Sequence, residues 1–267
     1  MENAELYRKQ AVLLIFNFQL SILNLIKSLG LPKDFTWMSV SLSRLIHCFM
    51  QVVIMFRRLL LVRSRGLGDV YKRQLRQYVT GPVKMLDLCA APGGKSTHAR
   101  SVLPEGSLLV ANEVIRNRSQ ILAENLTKWG HPDVVVTNND PADFAALPSF
   151  FDVILTDVPC SGEGMFRKDP VAVEEWSPEN VEICWQRQRR IIGDIWDTLK
   201  PGGILIYSTC TFNTKEDEEN ARWIQQEYGA ELLTVQVQEN WNITGDLLPD
   251  NCDGSKSSIP VYHLSLI

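Results

Sequence analysis

"VKMLDLCAAPGGKS" spans residues 83–96. The apolar run "VKMLDLCA" (83–90) reads as a strand, and the Gly93-Gly94 pair after it as a turn that opens a helix. Glycines at such a turn let the backbone approach a ligand closely. The helix start offers N–H groups to a carboxylate or phosphate. The spacing is neither G-x-G-x-x-G nor the G-x-x-x-x-G-K of a phosphate-binding loop. A tight turn and nothing more is the competing reading of this stretch taken alone.

Outward from it the same texture repeats. "GSLLVANE" (106–113), "DVVVTNND" (133–140), "FDVILTDVP" (151–159) and "GILIYSTC" (203–210) are further apolar runs of strand length. "RNRSQILAENLTKWG" (116–130) has helical spacing, with Ile121, Leu122, Leu126 and Trp129 on one expected buried face and Gly130 as a stop signal. A long helix is expected from the Ser177-Pro178-Glu179 opening to a stop at Pro201-Gly202-Gly203. Apolar strands separated by helices predict an α/β fold, a mostly parallel sheet with helices on both faces. Ligands of such sheets bind at the carboxyl ends of the strands.

The chain has 267 residues, 45% hydrophobic and 22% charged, enough for one substantial core and a small appendage. Its net charge of −4 is uneven. Residues 1–74 carry 11 Lys/Arg against 4 Asp/Glu, and the remainder 16 against 27. "AVLLIFNFQLSILNLI" (11–26) and "LIHCFMQVVIMFRRLLLV" (45–62) are apolar on nearly every face, and composition changes abruptly after "VRSRGLGDVYKRQ" (62–74). A membrane hairpin, a buried helical pair and a segment foreign to the rest of the chain are the three readings of 1–74. The division expected is an atypical, hydrophobic and basic segment over 1–74 and a catalytic core over 75–267. Six cysteines occur without a C-x-x-C pair, so no metal site is expected. No cleavable signal is visible, which points to a reducing, cytoplasmic setting with free thiols.

Acids close the strands. Glu113 ends the second, where an acid commonly accepts hydrogen bonds from ribose hydroxyls. Asp140 closes the third and suits an adenine amino group; Asp157 closes the fourth. Each singly is also readable as a solvated carboxylate. Together, beside the Gly turn, they suit an adenosine-bearing ligand with a positive centre, such as S-adenosyl-L-methionine. Cys89 and Cys184 read as small core residues. Cys160 and Cys210 do not, because both lie past a strand end among small and polar residues. Two thiols at one ligand edge imply either a redox pair or a nucleophile with an assistant.

"DLCAAPGGKS", "ANE", "NND", "TDVPCSGEGMFRKDP", "LKPGG" and "YSTCTFNTKEDEENA" occur in this order. Over roughly residues 75–250 they resemble the RNA 5-methylcytosine methyltransferases of the NOL/NOP/Sun type, in particular the bacterial RsmF-like enzymes of 16S rRNA. The resemblance implies a Rossmann-like methyltransferase fold and S-adenosyl-L-methionine as cofactor. It implies a cofactor loop of Cys89, Ala90, Ala91, Pro92, Gly93, Gly94 and Lys95, with Glu113 on the ribose, Asp140 on the adenine side and Asp157 facing both cofactor and target base. Cys210 matches the family's nucleophile and Cys160 the second thiol, which helps release product. Thiolate attack on C6 of cytosine makes C5 nucleophilic, and the C5 proton must later leave. Cys210 should therefore have a lowered pKa.

RNA, most simply rRNA, is the expected partner, with a monomeric enzyme and no membrane. Arg116, Arg118, Arg167, Lys168, Arg187, Arg189 and Arg190 are candidate phosphate contacts. Nothing in 1–74 resembles the family's RNA-binding region or the Ser-rich aromatic segment that closes over the cofactor. The chain is accordingly expected to be a core shortened at both ends. Alternatives are a cofactor-binding fragment without turnover, a tRNA-directed enzyme, or a DNA cytosine methyltransferase with Cys160 as nucleophile.

Overall fold

The computed structural model describes residues 75, 77–166 and 169–233, together with the strand backbones at 12–17, 243–244 and 261–264. In chain order the strands are β1 (Val12–Asn17), β2 (Lys84–Asp87), β3 (Leu108–Asn112), β4 (Val134–Thr137), β5 (Phe151–Asp157), β6 (Leu199–Thr209), β7 (Glu231–Leu232), β8 (Ile243–Thr244) and β9 (Val261–Leu264). They form one sheet in the order β4-β3-β2-β5-β6-β1-β9-β8, with β7 also paired to β1. The pairings are parallel except β8–β9. The helices are α1 (Gly94–Val102), α2 (Arg116–Trp129), α3 (Pro170–Glu175), α4 (Pro178–Trp196) and α5 (Glu218–Tyr228).

Both faces of the sheet are covered, as the Rossmann-like expectation requires. On one face Leu86, Val110, Ile154, Leu205 and Tyr207 pack with Ile191, Ile192 and Ile195 of α4 and with Ala221 and Ile224 of α5. On the other, Ala111 packs with Leu122 and Leu126 of α2. Neighbouring strand residues alternate between these clusters because side chains alternate across a sheet. Each fully buried Leu or Ile contributes about 1.5–3 kcal/mol. Helix α4 starts where its sequence says it should: the Ser177 side chain caps it by accepting from Asn180 N, 3.1 Å away, and Pro178 fills the first turn.

Three expectations are corrected. Ile121 is half exposed, not buried; the stripe that α2 buries is Ser119, Leu122 and Leu126, one step of 100° away. Helix α4 ends at Trp196, short of Pro201-Gly202-Gly203. Those three residues lie inside β6, where the pairing jumps from Phe151–Leu199 to Val153–Ile204. Proline and glycine here make a bulge, not a helix stop. Finally, Val12–Asn17 is a strand parallel to β6, which neither helical reading of 11–26 anticipated. An unbroken apolar run suits a strand flanked on both sides.

By its internal contacts the chain divides into Met1–Gln19 with Gln74–Ile267, and Leu20–Arg73. The second unit, with most of the 1–74 segment, lies outside the described residues. Among the described residues no helix is long and apolar enough to cross a membrane.

A Cβ at Gly203 would stand 2.7 Å from Leu199 Cδ1 and 2.8 Å from the Lys200 carbonyl oxygen. Gly203→Ala should therefore cost about 1–3 kcal/mol of stability, read as a lower denaturant midpoint at unchanged slope.

Candidate active site

The carboxyl ends of β2, β3, β5 and β6 carry the polar residues of the site. Beyond β2, the turn 88–93 is pinned by backbone bonds: Leu88 N to Leu155 O at 2.9 Å, Ala90 N to Asn112 O at 2.8 Å and Gly93 N to Ala90 O at 2.7 Å. Side chains of α2 hold its outer edge. Arg118 Nη2 donates to Ala91 O at 3.1 Å, and Asn125 Nδ2 donates to Pro92 O at 2.7 Å. Gly93 stands at φ +103°, and a Cβ there would press on Leu122 Cδ1 at 3.2 Å. Only glycine meets both conditions at that point. Cys89 is half-buried against the core, and burial pushes its thiol far up.

Two carboxylate oxygens here are buried and accept no hydrogen bond from the described residues: Asp87 Oδ1 and Glu113 Oε2. Glu113 Oε1 accepts from Ile115 N at 3.0 Å, and Arg118 Nη1 lies 3.4 Å from Oε2 without hydrogen-bond geometry. Asp87 Oδ2 accepts from Ser96 Oγ at 2.6 Å. Burial raises the Asp87 carboxyl to about 7. Orphaned buried acceptors are uncommon in folded proteins and call for donors. A ribose diol and a cationic ligand centre supply them, so these residues fit the adenosine-type ligand that the sequence suggests. Asp140 lies beyond β4 and caps the 3₁₀ turn Pro141–Ala146, accepting from Ala142 N at 3.2 Å; Arg190 Nη2 is 3.7 Å from its other oxygen.

At the tips of β5 and β6 the two thiols meet. Cys160 Sγ and Cys210 Sγ are 3.0 Å apart, and Cys210 N donates to Cys160 Sγ at 3.2 Å. Both are half-buried. The thiol hydrogen bond from Cys160 holds Cys210 below the ordinary thiol range, while the same bond, followed by burial, pushes Cys160 well up. Of the pair, Cys210 is the member shifted toward the thiolate and Cys160 the member shifted toward the thiol. Asp157, at the end of β5, is ion-paired with Lys95 and accepts from Ser208 Oγ at 2.7 Å; Lys95 Nζ is 3.3 Å from the same hydroxyl. Cys184 is buried on α4.

Sequence reasoning missed several residues that hold these loops. Buried Asn112 joins three loops, donating to Leu88 O and Asn139 O and accepting from Thr137 Oγ1 and Asn139 N. Gly164 N donates to Cys210 O at 2.8 Å, and Ser161 Oγ lies 3.0 Å from Thr211 Oγ1. Glu216 and Gln188, both fully buried, bind the same loops. Of the candidate phosphate contacts, Arg118 faces Glu113, Arg189 sits 4.0 Å over Trp185 and 4.9 Å over Trp223, and Arg190 reaches Asp140 and Asp194. Arg167 and Lys168 lie outside the described residues. No cluster fit to hold a metal ion is found among the described residues.

The sequence model described as "16S rRNA methyltransferase RsmB/F" matches residues 80–251. The chain belongs to the RsmB/F family. Among its relatives, ribosomal RNA small subunit methyltransferase F of Pectobacterium atrosepticum is 43% identical over 148 residues, which are 55% of this chain and 31% of that protein. The protein of the same name from Escherichia coli is 42% identical over 171 residues, 63% of this chain and 34% of its own length. The chain thus spans about a third of the length of the curated relatives it matches. Among solved structures, NSun6 from Pyrococcus horikoshii with SFG superposes with a TM-score of 0.57 at 28% identity, covering 72% of this chain and 47% of that one. A methyltransferase homologue from Pyrococcus horikoshii gives 0.55 at 26%, covering 70% and 58%. The fold of this RsmB/F member is that of a Rossmann-like methyltransferase.

Because the contact with Cys160 holds the Cys210 thiol low, alkylation of Cys210 should titrate below the roughly 8.5 of a free thiol. Cys160→Ala removes the donor, so the midpoint should move up and labelling at pH 7 should slow. Residue-resolved mass spectrometry after timed iodoacetamide exposure reads both.

Proposed function

We propose that this chain transfers a methyl group from S-adenosyl-L-methionine to C5 of a cytosine in small-subunit ribosomal RNA, through a covalent bond between Cys210 and C6. The observation that carries this is the thiol pair, with its two sulfurs 3.0 Å apart just past the ends of β5 and β6. The RNA class rests on the family match and on the names of the relatives.

The residues divide the work. Glu113 would hold the ribose, the 89–95 turn the amino-acid end of the cofactor, and the outer oxygen of Asp140 the adenine amino group. When bound, S-adenosyl-L-methionine supplies an electrophilic methyl group. The target base must leave its stack to reach the thiols. The Cys210 thiolate adds to C6, and electron density passes to C5 and N3. Asp157 accepts from the 4-amino group of cytosine, while Lys95, its ion-pair partner, brings an N–H donor to the same spot. After methylation the C5 proton must be removed, the C6–S bond breaks, and the thiolate of Cys210 returns. Water held by the Cys160 thiol is the proposed acceptor of that proton.

All of these residues come from one chain, so the reading needs no second copy. Thiols that work as thiols need a reducing compartment, which supports the cytoplasm. The family match over residues 80–251 supports a catalytic core within 75–267; residues 1–74 lie outside the match, although Val12–Asn17 pairs with β6 in the same sheet.

Cys210→Ala should abolish both methyl transfer to an rRNA fragment and adduct formation. Cys160→Ala should let a covalent protein–RNA adduct accumulate, seen as a shifted band on a denaturing gel. An adduct that persists in Cys210→Ala and vanishes in Cys160→Ala assigns the nucleophile to the other strand. Glu113→Ala should weaken cofactor binding roughly ten- to hundredfold, the loss of a charged hydrogen bond, measured by calorimetry.

A further inference from the structure

We propose that Glu216, together with Gln188, is a positioning residue for the two thiols: it fixes the turn that carries Cys160 against the loop that carries Cys210. The proposal rests on the reading of Cys210 as the attacking group.

Glu216 has no exposed surface. Its carboxylate accepts from Ser161 N at 3.3 and 3.1 Å, from Gln188 Nε2 at 2.6 Å and from Asn213 Nδ2 at 2.7 Å. Ser161 directly follows Cys160, and Asn213 lies three residues past Cys210. Asn213 Oδ1 in turn accepts from Glu216 N at 2.9 Å. One buried group therefore grips the residue that follows Cys160 and a residue three past Cys210. These partners are amides, each of which stays in place only while the acceptor does. A buried carboxylate is costly unless its oxygens are satisfied. Moving either loop away would forfeit those bonds, which is what makes the grip stiff.

Gln188 closes the other side. Its amide is used in full: Nε2 donates to Pro159 O at 3.0 Å as well as to Glu216, and Oε1 accepts from Asn220 Nδ2 at 2.8 Å and faces the Tyr207 hydroxyl at 2.9 Å. Pro159 precedes Cys160. The carbonyl before this thiol and the N–H after it are thus both held, one by Gln188 and one by Glu216. Neither side chain touches a reacting atom, so their effect on the reaction runs through the sulfur–sulfur contact.

Charge and positioning predict opposite signs. The negative charge of Glu216 disfavours the Cys210 thiolate. Removing only that charge would speed alkylation of Cys210, whereas releasing the turn takes away the Cys160 donor and slows it. The test uses the full chain without RNA or cofactor, iodoacetamide at pH 7, and mass spectrometry resolved by residue. In Glu216→Gln, labelling of Cys210 should slow about tenfold as its thiolate fraction falls. Asn213→Ala keeps the charge but cuts one tie, and labelling should slow roughly threefold by the same route. Buried Cys184 reports folding: it stays unlabelled in a folded variant. Unchanged or faster labelling of Cys210 in folded Glu216→Gln overturns the proposal. If Glu216→Gln labels Cys184, the half-exposed Asn213→Ala decides alone, and an unchanged rate there overturns it. Should the wild-type chain transfer no methyl group to RNA, the proposed activity falls while the labelling comparison still judges the positioning.

Discussion

Strands β5 and β6 run parallel and in register, with Asp157 opposite Ser208. Neighbouring strands stand about 4.8 Å apart, so whatever follows each tip begins at nearly the same place. From this one pairing come the Asp157–Ser208 hydrogen bond and the contact of Cys160 with Cys210. Helix α1, entering from the β2 turn, adds Lys95 to the same spot. A slip of one residue would turn one of the two strands over and carry its side chains to the wrong face. The core clusters on both faces resist that slip, because Leu205 and Tyr207 are buried against α4 and α5. Hydrocarbon packing far from the thiols is what sets their distance.

The other half of the site depends on burial of charge. Asp87 and Glu113 each present an oxygen, held away from water, with no hydrogen bond from the described residues. Such groups lower stability while they wait for a donor. The arginines that would soften this field are engaged locally: Arg118 faces Glu113, Arg190 reaches Asp140, and Arg189 lies between Trp185 and Trp223. In an acidic core these cations act first on the protein itself.

Much of this was legible in the sequence because the strands are short apolar runs and the long helix α4 opens at a Ser-Pro cap. The thiols were legible because they follow strands, among small residues. What escaped has identifiable causes. Pro201-Gly202-Gly203 punctuates a chain in the same way whether it ends a helix or bulges a strand. Glu216 sits in "TKEDEEN" (214–220), a run that looks like solvated charge, yet Glu216, Asp217, Glu218 and Asn220 are buried. For Gln188 a signal did exist. It lies on the stripe Val181, Cys184, Ile191, Ile192 and Ile195, the only amide among hydrocarbon and sulfur. A polar residue on an otherwise apolar helical stripe must find partners inside, and here they lie in the loops that bear the two thiols.

Cys160 and Cys210 bring equivalent atoms to one point from adjacent tips of the sheet. Topology alone does not rank them. The ranking comes from which sulfur gives its proton to the other, and hence from the few charges and dipoles around them. With the strands and helices left where they are, a change in local charge alone would move the proton from one sulfur to the other.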